Sequence, residues 1–375
     1  MSFDEPKDGD VVMSWKCNAI TNGLAIFSNG KIGPCCQISP GYLKPITEIA
    51  NPARFNDLLT EDAPLACETC AVNENNNIPS YRQFFNSYNI DDENEKIAFL
   101  DIRNTNLCNL KCRYCGPHFS NQWAKELEYK IPLKHVSINQ YIDKIISDNL
   151  QVLYFTGGEP IISADHWELL EVLVNRDLAK NITLMYNTNL TVLKYKELNI
   201  NDLWGKFKRI NLMVSFESVG RLFENIRSNA SWQEFELNFK SIKNYNVDIS
   251  AAAVLSILNV WQLDEFVEFC INNDIKINFT LLNGPDYLAL DVIPDEFKNQ
   301  AIDQLTKARR LLGKEYDSFF ALAIDKVNNN INHWLVDQTI AHVLLLDKIR
   351  SENMFDFLPF KKISKDLILK NFEYE

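Results

Sequence analysis

From Ile97 to Leu281 the chain alternates short apolar runs with longer stretches in which apolar residues recur every three or four positions. The short runs are Ile97–Ile102, Val152–Phe155, Ile182–Tyr186, Ile210–Ser215, Ile249–Leu255 and Ile277–Leu281, each with the length and composition of a buried strand. Between them, Trp167–Val174, Trp232–Tyr245 and Leu263–Ile271 carry helical spacing. Such alternation predicts an α/β fold with a parallel sheet or open barrel, its functional loops leaving the C-terminal ends of the strands. After Pro294 the pattern is helical to the end. In Thr339–Arg350 it places Asp347 and Arg350 on the outside, as suits a cap on the barrel bottom or a partner surface. The N-terminal part reads differently. Leu24–Phe27 and Lys31–Gly33 flank Ser28-Asn29-Gly30, and Asn-Gly between two such runs predicts a hairpin. Asn73–Asn94, rich in Asn, Asp and Glu, reads as a linker with one short helix.

At 375 residues the chain is long enough for two domains. Its 38 Lys and Arg against 50 Asp and Glu leave a net charge of −12, which argues against nucleic acid or an anionic membrane as partner. The apolar stretch around Ile249–Leu258 is far short of a membrane span, and Met1–Asp10 is acidic and polar, so a cytoplasmic location is expected. Of nine cysteines, eight fall in the first third of the chain. An odd count without an export signal argues against a disulfide framework, and clustered thiols then point to metal. The five histidines show no metal-ligand spacing, and Gly23, Gly30 and Gly33 make no phosphate loop. Cys270, among Phe266, Phe269 and Ile271, reads as a small buried hydrophobe.

Cys108-Asn-Leu-Lys-Cys112-Arg-Tyr-Cys115 directly follows the first strand of the alternating region. Three thiolates on one loop can hold three irons of a cubane cluster and leave the fourth open to a small chelating molecule. A structural zinc loop with His118 as fourth ligand is the alternative. The cysteine spacing, the aromatic before the last cysteine, and Gly157-Gly158-Glu159-Pro160 after the second strand together resemble the radical S-adenosylmethionine (SAM) superfamily. The resemblance implies that Cys108, Cys112 and Cys115 ligate a [4Fe–4S] cluster. It places Tyr114 beside the adenine and has Gly157, Gly158 and Glu159 hold the methionine amino group. Tyr186-Asn187-Thr188-Asn189 resembles the family's turn after the third strand, bringing Asn187 and Asn189 to the cofactor. Ser215-Phe216-Glu217-Ser218 matches a segment that usually reads Ser-x-Asp-Gly, with Glu217 for the Asp and Ser218 for the Gly. By the same resemblance Ser215 and Arg227 contact the SAM ribose or carboxylate. The bland alternatives are a helix cap for Ser218 and a surface charge for Arg227.

A second constellation precedes the first. Cys17, Gly30 and Cys35 are followed by Cys67-Glu-Thr-Cys70, two thiols across a hairpin and two on a tight turn. Such a set suits a closed zinc site or a fully ligated [4Fe–4S] cluster equally, and Cys36 competes with Cys35 as ligand. The Cys-x(9–15)-Gly-x4-Cys arrangement is similar to the auxiliary-cluster domains called SPASM and twitch. With nothing between Cys70 and Cys108, the shorter one-cluster twitch form is the match, placed N-terminal to the core instead of after it. Together the resemblances cover about residues 15–290.

They imply a partial (β/α)6 radical SAM barrel at 96–290, an N-terminal β-hairpin iron–sulfur (twitch) domain at 1–95 and a C-terminal helical segment at 291–375. The implied activity is electron delivery from a flavodoxin- or ferredoxin-like donor, reductive cleavage of SAM to a 5′-deoxyadenosyl radical, and hydrogen abstraction from substrate. A peptide or protein side chain is the leading substrate class, and a small molecule such as an aminosugar, nucleoside or cofactor precursor the second. The rival of a different class is a non-catalytic, metal-stabilised binding protein.

Overall fold

A computed structural model gives the structure of residues 15–51, 53–76, 79–88, 90, 96–128, 135–243 and 245–360. The helical pattern read beyond residue 360, and parts of Asn73–Asn94, lie outside the described residues. In chain order the strands are β1 (Gly23–Phe27), β2 (Lys31–Gly33), β3 (Lys44–Pro45), β4 (Phe99–Arg103), β5 (Lys111–Cys112), β6 (Val152–Phe155) and β7 (Thr183–Thr188). They continue with β8 (Lys194–Tyr195), β9 (Leu198–Asn199), β10 (Arg209–Ser215), β11 (Arg227–Ser228), β12 (Val247–Leu255) and β13 (Lys276–Leu281). The six apolar runs of the sequence are thus β4, β6, β7, β10, β12 and β13, and the long strands pair mostly in parallel.

The chain packs as two compact units. The first comprises residues 1–106, 133–185 and 203–210, the second 107–132, 186–202 and 211–375. In the first, the Asn29-Gly30 hairpin forms as expected: Gly30 takes φ +77°, and β1 pairs antiparallel with β2 through Ala25↔Gly33. The hairpin's β1 also pairs in parallel with β4 along its whole length, from Gly23↔Phe99 to Phe27↔Arg103. Parallel pairing continues from β4 to β6, Phe99↔Val152 through Ile102↔Phe155. All of β6 is buried, which is why Val152–Phe155 reads as an uninterrupted apolar run and not an alternating one.

In the second unit β12 and β13 run in parallel from Ser250↔Lys276 to Leu255↔Leu281. Helix Trp232–Ile242 starts where the Ser231 hydroxyl accepts the Glu234 amide, and buries Phe235, Phe239 and Ile242 at helical spacing. These rings pack with Phe216, Phe223, Phe266 and Phe269 into an aromatic core. Helices Lys298–Leu312, Asp317–Asn329 and Val336–Arg350 follow. Among the described residues no helix is long and apolar enough to cross a membrane.

Candidate iron–sulfur and cofactor-binding sites

Four of the N-terminal cysteines converge. Cys17 precedes helix Asn18–Asn22, Cys35 follows β2, Cys67 ends a short 3-10 turn, and Cys70 lies in the first turn of helix Glu68–Asn75. All four line one cavity of about 380 Å³, its opening to solvent included. Burial pushes the Cys17 thiol up to about 12, with Cys67 and Cys70 adding to the rise. Burial likewise raises Cys35, to which Cys36, Cys17 and Cys70 contribute. The charged member of the lining is Arg82, whose guanidinium stacks 4.1 Å over the Trp15 ring and pairs with Glu74. Cys36 is not in that lining. It sits beside Asp101 and Arg103, and Arg103 grips Asp101 with bonds of 3.0 and 2.8 Å. Among the described residues no three His, Cys, Asp or Glu side chains are grouped to hold a single metal ion.

The same unit carries the turn after β6. Gly157 has φ +103°, and a Cβ there would stand 2.8 Å from the Thr105 carbonyl oxygen, so glycine is required by the neighbouring chain itself. The Gly158 amide donates to that carbonyl at 3.1 Å. Glu159 is buried, and its Oε1 accepts the Ile161 amide at 3.2 Å, capping the turn Pro160–Ile162.

The cysteine loop belongs to the second unit. Cys108 is anchored through its amide to Asn121 Oδ1 at 2.9 Å, and its sulfur accepts the Leu110 amide at 3.5 Å. Cys112 pairs with Arg227 in the short ladder of β5 and β11. Arg227 is buried. Its Nε and Nη2 donate to Glu217 at 3.2 and 2.5 Å, while Nη1 reaches the Cys112 sulfur at 3.6 Å. The Tyr114 hydroxyl donates to Glu217 at 2.9 Å. Glu217, which departs from the family pattern, is therefore the shared acceptor of Arg227 and Tyr114. Arg227 is no surface charge. Ser218 does not cap the next helix either, whose N-cap is Val219.

Burial pushes the Cys112 thiol up to about 12 against the pull of Arg227, and also raises Cys115. Asn189 joins the loop by donating to Asn109 Oδ1 at 2.9 Å, and Ser215 ends β10 half-buried. Asn187 Oδ1 and Ser218 Oγ are buried without a partner among the described residues, which fits a site that receives a polar group. Three thiols on one braced loop beside a buried guanidinium are a donor set that fits a cubane with one iron left free of protein.

Sequence reasoning missed the far end of the chain. Asp347 and Arg350, expected on the outside of their helix, face the cysteine loop. Asp347 bonds Arg113 at 2.5 Å, and Arg350 reaches the Lys111 carbonyl, Ser228 and Glu126. Helical periodicity identifies the apolar stripe and carries no signal for what the polar side meets.

Residues 102–270 match the model of the Radical SAM superfamily. An uncharacterized protein of Methanocaldococcus jannaschii is 26% identical over 226 residues, 57% of this chain and 71% of that one. The GTP 3',8-cyclase of Campylobacter lari is 24% identical over 125 residues, 33% of this chain, and the match spans 37% of the cyclase. Among solved structures, anSMEcpe with bound AdoMet aligns with 17% identity and a TM-score of 0.41 over 59% of this chain and 61% of that one. Streptococcus suis SuiB bound to S-adenosylmethionine aligns with 20% identity and a TM-score of 0.33 over 48% and 40%. The similarity to the Radical SAM superfamily thus lies in residues 102–270, the segment that carries the Cys108–Cys115 loop.

Proposed function

We propose that the chain is a radical SAM enzyme carrying one auxiliary [4Fe–4S] cluster. The observation that carries this reading is the Cys108–Cys115 loop, three thiols within the segment matched by the family model. Cys108, Cys112 and Cys115 hold the catalytic cluster, and Cys17, Cys35, Cys67 and Cys70 hold the auxiliary one. When bound, cluster and SAM supply a 5′-deoxyadenosyl radical by reductive cleavage, and this radical takes hydrogen from a substrate carbon. The protein's part is placement. Gly157, Gly158 and Glu159 receive the methionine amino group, and Tyr114 lies beside the adenine. Asn187, Asn189 and Ser215 offer polar groups to the rest of the cofactor. Glu217 holds Arg227 and Tyr114 in register, with Arg227 at the Cys112 sulfur.

The auxiliary cluster has four protein ligands in this reading, which suits electron relay better than substrate ligation. A flavodoxin- or ferredoxin-like protein supplies the electron, in the cytoplasm. The domain plan is an auxiliary domain at 1–95, a barrel core at 96–290 and a helical segment at 291–375. Substrate is a peptide or protein side chain, the class served by enzymes with such auxiliary domains. Similarity to GTP 3',8-cyclases favours a second reading, a nucleotide-like small molecule.

The test is cleavage of SAM by protein reconstituted without oxygen and given dithionite. The expected result is 5′-deoxyadenosine and methionine in equal amounts, abolished in Cys112→Ala. Iron-loaded protein that forms no 5′-deoxyadenosine, or a Cys112→Ala variant that still does, sinks the reading.

A further inference from the structure

Three consecutive backbone carbonyls around Cys112 are each held by a side chain from outside the cysteine loop. Arg350 Nη1 donates to the Lys111 carbonyl at 2.7 Å, Trp123 Nε1 to that of Cys112 at 2.9 Å, and His342 Nε2 to that of Arg113 at 3.0 Å. The carbonyl of Arg113 can only accept, so the His342 proton is on Nε2, and Nδ1 accepts from the Tyr287 hydroxyl at 3.3 Å. The donors form one stack, with the Arg350 guanidinium 4.6 Å from the Trp123 ring and the His342 ring 6.3 Å from it at 15°. His342 and Arg350 stand 229 and 239 positions along the chain from the carbonyls they hold, so this arrangement is a product of the tertiary fold.

A planar peptide gives such contacts leverage. Fixing a carbonyl oxygen also fixes the N–H of the next residue, here Cys112, Arg113 and Tyr114. Hydrogen bonds to cluster sulfurs are among the factors that set an iron–sulfur potential. We propose that Arg350, Trp123 and His342 are positioning residues that lock the peptide planes flanking Cys112, and so set how firmly the cluster is kept and the potential at which it is reduced. Helix Val336–Arg350 is then part of the cluster site. The inference rests on Cys108, Cys112 and Cys115 being cluster ligands.

Three variants test it: Trp123→Phe, which loses the N–H and keeps a ring, His342→Leu, and His342→Gln, which keeps a donor. Each is first shown to fold by its melting transition, and should Trp123→Phe fail, the two His342 variants carry the comparison. In Trp123→Phe and His342→Leu, iron loss to a chelator is expected to quicken about 10–100-fold. The midpoint potential and EPR signal of the reduced cluster shift with it, and His342→Gln moves back toward wild type. Folded Trp123→Phe and His342→Leu that match wild type in chelation rate and potential overturn the proposal. Should wild-type protein take up no iron on these cysteines, the enzyme reading is what fails. Amide exchange over residues 111–114 of the metal-free protein then decides the positioning role: faster exchange in the variants upholds it, and unchanged exchange ends it.

Discussion

His166 lies edge-on to Phe155 at 4.7 Å and to Trp167 at 5.2 Å, and burial pushes its pKa from 6.5 down to about 3. The folded chain keeps this imidazole neutral, while the unfolded chain protonates it below its ordinary value. Between those limits the unfolded state binds more protons, so stability is complete above pH 6.5 and falls as the pH drops, by about 1.4 kcal/mol per unit. His166→Phe removes that contribution. Urea unfolding at pH 7 and pH 5 should show wild type losing about 2 kcal/mol more than His166→Phe. Equal losses would mean the imidazole is protonated in the fold after all. Glu217 teaches a different lesson at the same scale. In the sequence it is a departure from a pattern. In the fold it is the carboxylate that lets a guanidinium lie buried beside the Cys112 sulfur, since an unpaired buried cation would be costly.

Arg113 is the point where two elements are tied to the cysteine loop. It is fully buried, donates to the Asn225 carbonyl at 2.7 Å, and holds both Asp347 and Glu352. Arg113→Met keeps most of the stem and leaves two carboxylates facing each other without a cation. The expected cost is about 3 kcal/mol, the low end for a broken buried pair, because Asp347 and Glu352 keep 12% and 20% side-chain exposure. A denaturation midpoint within about 0.5 kcal/mol of wild type would show the carboxylates to be satisfied by water instead. The same elements mark what could be read in advance. β6 was legible because burial on both faces leaves a continuous apolar run, and the hairpin because Asn29-Gly30 supplies a left-handed turn. The pairing of β5 with β11 was not, since two residues a side carry no period. Neither was the polar side of helix Val336–Arg350, whose partners stand more than two hundred positions upstream.

Each cysteine set lies within one compact unit: Cys17, Cys35, Cys67 and Cys70 in the first, Cys108, Cys112 and Cys115 in the second. No ligand set is divided between them, so loading one does not require the other. Metal content should therefore fall in separable steps. Wild type prepared without oxygen is expected to hold about eight irons with matching sulfide, two cubanes' worth. Cys67→Ser/Cys70→Ser and Cys112→Ser/Cys115→Ser should each keep about four, and only the first should retain SAM cleavage to any degree. Were the N-terminal set a zinc site, wild type would give about four irons and one zinc, and Cys67→Ser/Cys70→Ser would lose the zinc alone. Were the two loops one shared site, either double substitution would empty both. Iron, zinc and sulfide counted on three proteins thus separate a relay cluster from a structural ion, and both from a chain in which the two cysteine sets serve a single centre.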